Sequence, residues 1–307
     1  MIEFIILTIS LLVLVKSADI LVENASKLAI KLGIPKNIIG LTLVAFGTSF
    51  PEFVVNILSS LKGENQIALG NIIGSDLANL SLVLGLAAIA YPLKIQREAI
   101  WREIPLATVI ILATLFLIMD NTLSFWDGLV LYLFFVLFLT YILEKISTER
   151  SEKEIIKEKL SKIILLIILS LLGLYFSGEF LIDSLIAIST KMGISLYALS
   201  SILIAVGTSL PELVVNLMAS VRKESDIAVG NVLGSNIFNT AFILATSAVI
   251  NPIQIFSEKV ILHFALILIA TAILFIGNFT LRKRIIDREE GLLLLLVYIV
   301  YLFSLIK

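Results

Sequence analysis

Apolar residues run along this chain in ten long blocks, near 2–26, 36–61, 66–91, 99–119, 122–143, 162–190, 194–221, 226–250, 258–278 and 290–306, separated by short polar breaks. About 20 predominantly apolar residues carry an α-helix across the hydrocarbon core of a bilayer, so each block predicts a membrane-spanning helix. The first, Ile2 to Val15, lacks a basic leader and a small-residue cleavage site, which predicts a retained span and not a cleaved signal. One long polar stretch, Glu144 to Lys162, mixes Lys145, Arg150, Lys153, Lys157, Lys159 and Lys162 with five Glu. It is expected to be a solvated linker or short surface helix.

Composition agrees with the pattern. Of 307 residues, 59% are apolar and 15% charged, against about 25% charged in soluble domains, and the mean hydropathy is +1.07. So few polar residues cannot coat a water-exposed surface. Ten spans would consume about 200 residues and leave no room for a large soluble catalytic domain. A net charge of −1 offers no basic bulk to nucleic acid. With no Cys and one His, disulfides, iron–sulfur clusters and Cys/His zinc sites are excluded by inventory.

Short loops also carry an orientation. With ten spans, the loops after spans 1, 3, 5, 7 and 9 share one side and, with adjoining helix ends, hold 18 of the 23 Lys and Arg. The opposite side has Lys62, Lys191, Lys259 and Lys307, and Lys16 lies within span 1. Positive residues stay inside, so both termini are expected outside and the charged linker in the cytoplasm.

The chain then repeats itself. A shift of 160 residues lays Gly47-Thr48-Ser49-Phe50-Pro51-Glu52 on Gly207-Thr208-Ser209-Leu210-Pro211-Glu212, and with no gap lays Gly70-Asn71-Ile72-Ile73-Gly74-Ser75-Asp76 on Gly230-Asn231-Val232-Leu233-Gly234-Ser235-Asn236. Residues 47–79 and 207–239 agree at 17 of 33 positions, and the agreement falls on Gly, Pro, Glu and Asn rather than on chance Leu. The expected organisation is an all-α polytopic membrane protein: a first five-helix repeat over 1–143, a linker over 144–161 and a second repeat over 162–307. Five spans per copy turn the second copy upside down, the inverted repeat of secondary transporters, whose substrate site lies near the midplane between the copies.

Glu52 and Glu212 fall inside spans 2 and 7, where an ionised carboxylate costs at least about 2.5–3.5 kcal/mol and ordinarily faces a partner or a water-filled cavity. Pro51 and Pro211 precede them and free the carbonyls four residues back, at Gly47 and Gly207, which membrane depth tolerates only beside protein or a hydrophilic cavity. On span 3, Asn71, Ser75 and Asn79 share one helix face, and span 8 copies them as Asn231, Ser235 and Asn239. Asn71 and Asn231 read equally as polar glue between helices or as ligands; Asn79 and Asn239 read as ligands. Gly70, Gly74, Gly230 and Gly234 allow close helix approach. The donors on offer, including hydroxyls of Thr48, Ser49, Thr208 and Ser209, are all oxygens, which hard cations such as Ca2+ or Na+ prefer over the nitrogen and sulfur sought by softer metals.

These paired motifs, twice in the same order, resemble the signature repeats of the sodium/calcium exchangers, within the cation/calcium exchanger superfamily. The linker is too short for the calcium-sensing domains of animal exchangers, so the chain resembles the minimal prokaryotic form. The resemblance implies a secondary active antiporter, not an enzyme, exchanging Na+ for Ca2+ by alternating access, without a cofactor, as a monomer in the plasma membrane with lipid as its surroundings. It also implies ion coordination by Thr48, Ser49, Glu52, Ser75 and Asn79 with Thr208, Ser209, Glu212, Ser235 and Asn239, completed by backbone carbonyls near Ala45 and Ala205. The long first and sixth helices would slide across this core. Two departures stand out. Asn239 occupies a position where several relatives carry Asp, and Asp76 is unusual, its counterpart being Asn236. Asp76 is expected as a secondary ion or proton site, or as an acid reaching a vestibule.

A Ca2+/H+ exchanger, with the Glu pair and Asp76 carrying protons, is the alternative within the class; the intact Thr-Ser and Pro beside each Glu favour sodium. A channel would pass ions without coupling, and an intramembrane hydrolase would need a nucleophile–base pair that these residues do not supply. Asp19 and Glu23 in span 1, matched by Glu179 and Asp183 in span 6, read either as ion-entrance acids or as helix-pairing and snorkelling groups, with Lys16 pairing one of them. His263 reads as a packed or hydrogen-bonded residue.

Overall fold

In a computed structural model of the chain, residues 2–63, 65–148, 156, 158–191, 209–255, 259–280 and 284–306 are described. Helix α1 runs over Ile2–Leu32, α2 over Lys36–Thr48 and α3 over Phe50–Leu61. Asn65–Ala90 forms α4, Ala99–Asp120 α5, Phe125–Thr148 α6 and Leu160–Lys191 α7. The second half continues with α8 (Leu210–Val221), α9 (Ser225–Ile250), α10 (Lys259–Thr280) and α11 (Arg288–Ile306). Among the described residues seven helices are long and apolar enough to cross a membrane, eight when the bent pair α2–α3 is one span. Helix α8 is a shorter apolar helix of 12 residues; the first part of the seventh predicted span lies outside the described residues.

Helix ends follow from local chemistry. Helix α1 stops where Gly33 takes a left-handed φ of 69°; the Gly33 amide bonds the Ile30 carbonyl at 3.2 Å and the Ile34 amide the Ala29 carbonyl at 2.9 Å, satisfying two otherwise orphaned acceptors. The end of α8 closes the same way with Lys223 at φ 61°, its amide on Ser220 and that of Glu224 on Ala219, at 2.9 and 2.8 Å. Gly63, φ 78°, is the first-half counterpart of Lys223. The Lys residue there shows that the turn is imposed by its hydrogen bonds rather than by glycine alone.

Burial sorts the helices into centre and rim. Helices α4 and α9 bury 83% and 94% of their apolar stretches, against 33%, 22% and 28% for α1, α6 and α7. The rim exposes Leu12, Leu61, Phe116, Leu143 and Phe303, a surface that lipid can solvate and water cannot. Helices α1 and α7 pack along each other, and the missing side chain of Gly173 admits Ser17.

Two short antiparallel ladders link the halves: β1 (Leu93–Lys94) with β4 (Ile285–Ile286), and β2 (Thr122–Leu123) with β3 (Ile253–Gln254). Strands β1 and β2 bracket α5, and β3 and β4 bracket α10. Because the strand before one helix pairs with the strand after the other, α5 and α10, which touch, run in opposite directions.

Helix α2 crosses α9 at backbone contact distance. A Cβ on Gly40 would lie 2.8 Å from the Ile227 carbonyl oxygen, and one on Gly230 would lie 2.6 Å from that of Asn37. Small residues are what permit such crossings in a membrane. Gly230→Val is expected to force α2 from α9 and destabilise the fold by at least about 1–3 kcal/mol, read as a lowered melting temperature of detergent-purified protein; an unchanged melting curve would refute the crossing.

Candidate functional site

Both motifs start a helix in the same way. Helix α2 ends at Thr48 and α3 leaves at 48° to it, with Ser49 non-helical at φ −82°, ψ 9°. The cause is Pro51, which cannot donate to the carbonyl of Gly47 and whose ring crowds it. Ser209 precedes α8 with φ −87°, ψ 6°, ahead of Pro211. Each glutamate therefore sits in the first turn of a helix that begins inside the protein. Glu52 is 0% and Glu212 1% exposed.

The two motifs interlock. Ser49 Oγ donates to Glu212 Oε1 at 3.1 Å, and Ser75 Oγ to Glu52 Oε1 at 3.3 Å. Thr48 Oγ1 bonds Asn231 Oδ1 at 3.2 Å, and Ser235 Oγ reaches the Ala45 carbonyl at 3.5 Å. Asn79 Nδ2 donates to Asn236 Oδ1 at 3.1 Å, while Asn239 Nδ2 donates to Asp76 Oδ1 at 3.0 Å. The sequence-predicted residues Ala45, Thr48, Ser49, Glu52, Ser75, Asn79, Ser209, Glu212, Ser235 and Asn239 are all buried. Ala205 and Thr208 lie outside the described residues.

Helices α4 and α9 are not uniform where they meet this cluster. Ala78–Val83 and Asn239–Leu244 each wind as a π-helical turn, a local widening that recurs at functional sites. Gly40–Val44 of α2 does the same. Periodicity of apolar residues carries no trace of these turns, and the sequence predicts smooth helices there.

Several buried oxygens of the cluster accept no hydrogen bond from the described residues: Glu212 Oε2, Asn79 Oδ1, Asn239 Oδ1 and Ser209 Oγ. A buried polar atom left unsatisfied costs about 1–3 kcal/mol, and several from both halves in one place are a demand for a shared partner. Unsatisfied oxygens, the carboxyls of Glu52 and Glu212 with Asp76 behind Asn239, neutral amides and hydroxyls, and no thiolate or imidazole form a donor set that suits a hard cation.

Sequence reading missed the residues that brace this set. Asn56 Nδ2 bonds the Ala68 carbonyl and Ser247 Oγ, both at 3.1 Å, and its oxygen accepts from Asn71 Nδ2 at 2.8 Å. Asn71 thus takes the part of polar glue. Asn216 Nδ2 caps the Glu212 carbonyl at 2.8 Å. The signal was present, since Asn56 and Asn216 coincide under the same 160-residue shift. Thr240, which bonds Asp76 Oδ2 at 2.5 Å, has no such counterpart in the first half, where Leu80 stands.

Of the outlying residues, Lys16 pairs with Asp19 at 3.0 Å as expected. Asp19 and Glu23 also hold Arg222, at 2.5 and 3.1 Å, so they tie α1 to the end of α8. Lys27 bridges Glu23 and Glu158 at 2.8 and 2.9 Å, and its hydrogen bond holds the Glu158 carboxyl below the usual carboxylate range. His263 bonds Ser304 at 3.0 Å and packs edge-on against Tyr301. Lys145, expected to be solvated with the linker, is instead in α6, buried and ion-paired to Glu103 at 3.0 Å. A periodic count sees only a Lys near a helix end, whereas packing folds that end inward against α5.

A family model described as "Sodium/calcium exchanger protein" matches residues 2–144 and 162–307. The chain is 35% identical to inner membrane protein YrbG of Escherichia coli, over 81% of this chain and 80% of that one. It is 32% identical to the putative antiporter CaxA of Alkalimonas amylolytica, over 97% and 96%. A solved structure of the sodium-calcium exchanger NCX_Mj, soaked with Na+ and Ca2+, superposes with a TM-score of 0.86 at 28% identity, covering 99% of both chains.

Proposed function

This chain belongs to the sodium/calcium exchanger family, and from that premise we propose that it is an antiporter moving Ca2+ against Na+ through the oxygen cluster between its halves. It is a multi-span membrane transporter and not an enzyme. The observation that carries the proposal is the hydrogen bond from Ser49 of one motif to the Glu212 carboxylate of the other, which pools the two acids with both sets of neutral oxygens. The proposed ligands are the side chains of Thr48, Ser49, Glu52, Ser75 and Asn79, those of Thr208, Ser209, Glu212, Ser235 and Asn239, and the carbonyls of Ala45 and Ala205.

Coupling follows from charge. Among the proposed ligands the two glutamates, ionised, supply −2, which one Ca2+ or two Na+ neutralise, and the buried Asp76 carboxyl lies behind Asn239 outside that set. Carrying both glutamates uncompensated through low dielectric is strongly disfavoured, so loaded forms exchange sides and the bare form does not. Competing ions in overlapping positions then give obligatory counter-transport. A third Na+ would make the cycle electrogenic.

Opposite running of α5 and α10, repeat-equivalent by sequence and bracketed by the reciprocal ladders, supports ten spans in two inverted five-helix copies. In such an arrangement the α1–α7 pair slides over α4 and α9 to open one side at a time. The bias of Lys and Arg supports termini outside and a cytoplasmic linker.

The test is radioactive Ca2+ flux in proteoliposomes with Na+, K+ and pH gradients imposed separately. Uptake driven by an opposing Na+ gradient and unmoved by a pH gradient is expected. Uptake that follows the pH gradient alone would replace Na+ by H+ as the coupling ion, and Ca2+ uptake needing no counter-ion would overturn exchange itself.

A further inference from the structure

We infer that Asp76 and Asn236 are positioning residues: each grips the amide nitrogen of the other half's asparagine, Asn239 and Asn79 respectively, and so turns that amide's oxygen toward the transported cation. The inference rests on the cation-cage reading above and gives Asp76 a part other than the ligand or proton carrier expected from sequence.

A side-chain amide has two ends of opposite character, and only its oxygen can ligate a cation. Rotation by a half-turn would present the NH2 group instead, so something behind the amide must decide. Behind Asn239 stands the carboxylate of Asp76, 3.0 Å from Nδ2; behind Asn79 stands Asn236 Oδ1, 3.1 Å from Nδ2. In both cases the oxygen of the gripped amide is buried and accepts no hydrogen bond from the described residues. The gripping residues are arranged differently. The second oxygen of Asp76 accepts from Thr240 Oγ1 at 2.5 Å, and the nitrogen of Asn236 is spent on the backbone carbonyl of Asp76 at 3.0 Å. All four side chains are at most 3% exposed, so water does not choose between the two rotations.

Residues 76 and 236 coincide under the 160-residue shift, as do 79 and 239, so each half orients the other's amide. The two grips are unequal. Asn236 accepts through one end of an amide whose own direction must be set, and the Asp76 carbonyl sets it. The Asp76 carboxyl has Thr240 on one oxygen, which leaves the other to accept from Asn239 Nδ2 and so admits one orientation of that amide. Asp76 therefore governs Asn239 through its side chain and Asn79 through its backbone and Asn236. Partners behind a metal ligand commonly change cation affinity about 10–100-fold when removed.

The experiment is calorimetric titration of purified protein with Ca2+, paired with the KM and maximal rate of Na+-driven Ca2+ flux. Asp76→Asn keeps an acceptor and removes the acid; Asp76→Leu removes both; Asn236→Leu removes the weaker grip. The expected result is Ca2+ affinity within about threefold of wild type for Asp76→Asn, and about tenfold or more weaker for the two Leu variants, with the loss in KM and a maximal rate little changed. Asp76→Asn binding as poorly as Glu212→Gln would overturn the inference, because a direct ligand is lost with its charge. Unchanged affinity in Asp76→Leu would overturn it too. Should Asp76→Leu fail to give monodisperse protein, Asn236→Leu decides alone, and unchanged affinity there is the refuting result. Wild-type protein that binds no Ca2+ removes the cage reading and this inference together; wild-type binding with indifferent Leu variants removes only this one.

Discussion

Glu212→Gln is expected to lower Na+-dependent Ca2+ exchange at least about 100-fold, since removing one partner from a buried charged cluster costs about 3–5 kcal/mol and 1.4 kcal/mol is a factor of ten. The carboxylate is 1% exposed and carries one oxygen bonded by Ser49 and one that accepts from none of the described residues. Glutamine preserves the shape and leaves a pocket of charge −1, which no longer matches a divalent ion. Glu52→Gln, whose carboxylate takes Ser75, is expected to behave alike. The measurement is radioactive Ca2+ counterflow in proteoliposomes, with equal insertion verified for each variant. Retention of more than about a tenth of wild-type exchange in either variant would mean that the glutamate does not hold the ion.

The second large effect lies far from the cage, at the buried pair Glu103–Lys145. Their side chains are each 1% exposed at 3.0 Å, and the same carboxylate oxygen also accepts from Tyr141 at 2.9 Å and Asn37 at 3.2 Å. Three helices, α2, α5 and α6, meet at that oxygen. Lys145→Met leaves an uncompensated carboxylate and is expected to destabilise the protein by about 3–5 kcal/mol, lowering the melting temperature in detergent on the order of 10 °C. Glu103→Gln combined with Lys145→Met should recover much of the loss, because no bare charge remains. The assignment would be falsified if Lys145→Met melted no earlier than the exposed control Lys62→Met.

How much of this was readable beforehand divides by residue. Glu52 and Glu212 announced themselves, because a carboxylate within an apolar block has few innocent explanations and this one recurs after Pro in both copies. Asn79 and Asn239 were legible through their four-residue spacing from Ser75 and Ser235. Asn56 was legible only as a repeated position, coinciding with Asn216: what it braces was not, because its partner Ser247 stands 191 residues away. Asp19 and Glu23 left open a choice between ion entrance and helix pairing, and Arg222 on the opposite half closes it in favour of pairing. Lys145 was misplaced because charge near a helix end ordinarily means water.

The amino-acid sequence by itself determined the helices, since a bilayer rewards only apolar segments that satisfy their own backbone, and it determined the twofold repetition and the chemistry of the oxygens on offer. Tertiary structure alone decided which side chains meet: Thr48 with Asn231, Ser49 with Glu212, Asp76 with Asn239. Those partners are 160 or more residues apart in the chain, and periodicity specifies which face of a helix is polar without specifying how far one half is shifted against the other. That register comes from close packing, where Gly40 and Gly230 let two backbones touch, and from there the direction of each buried amide follows.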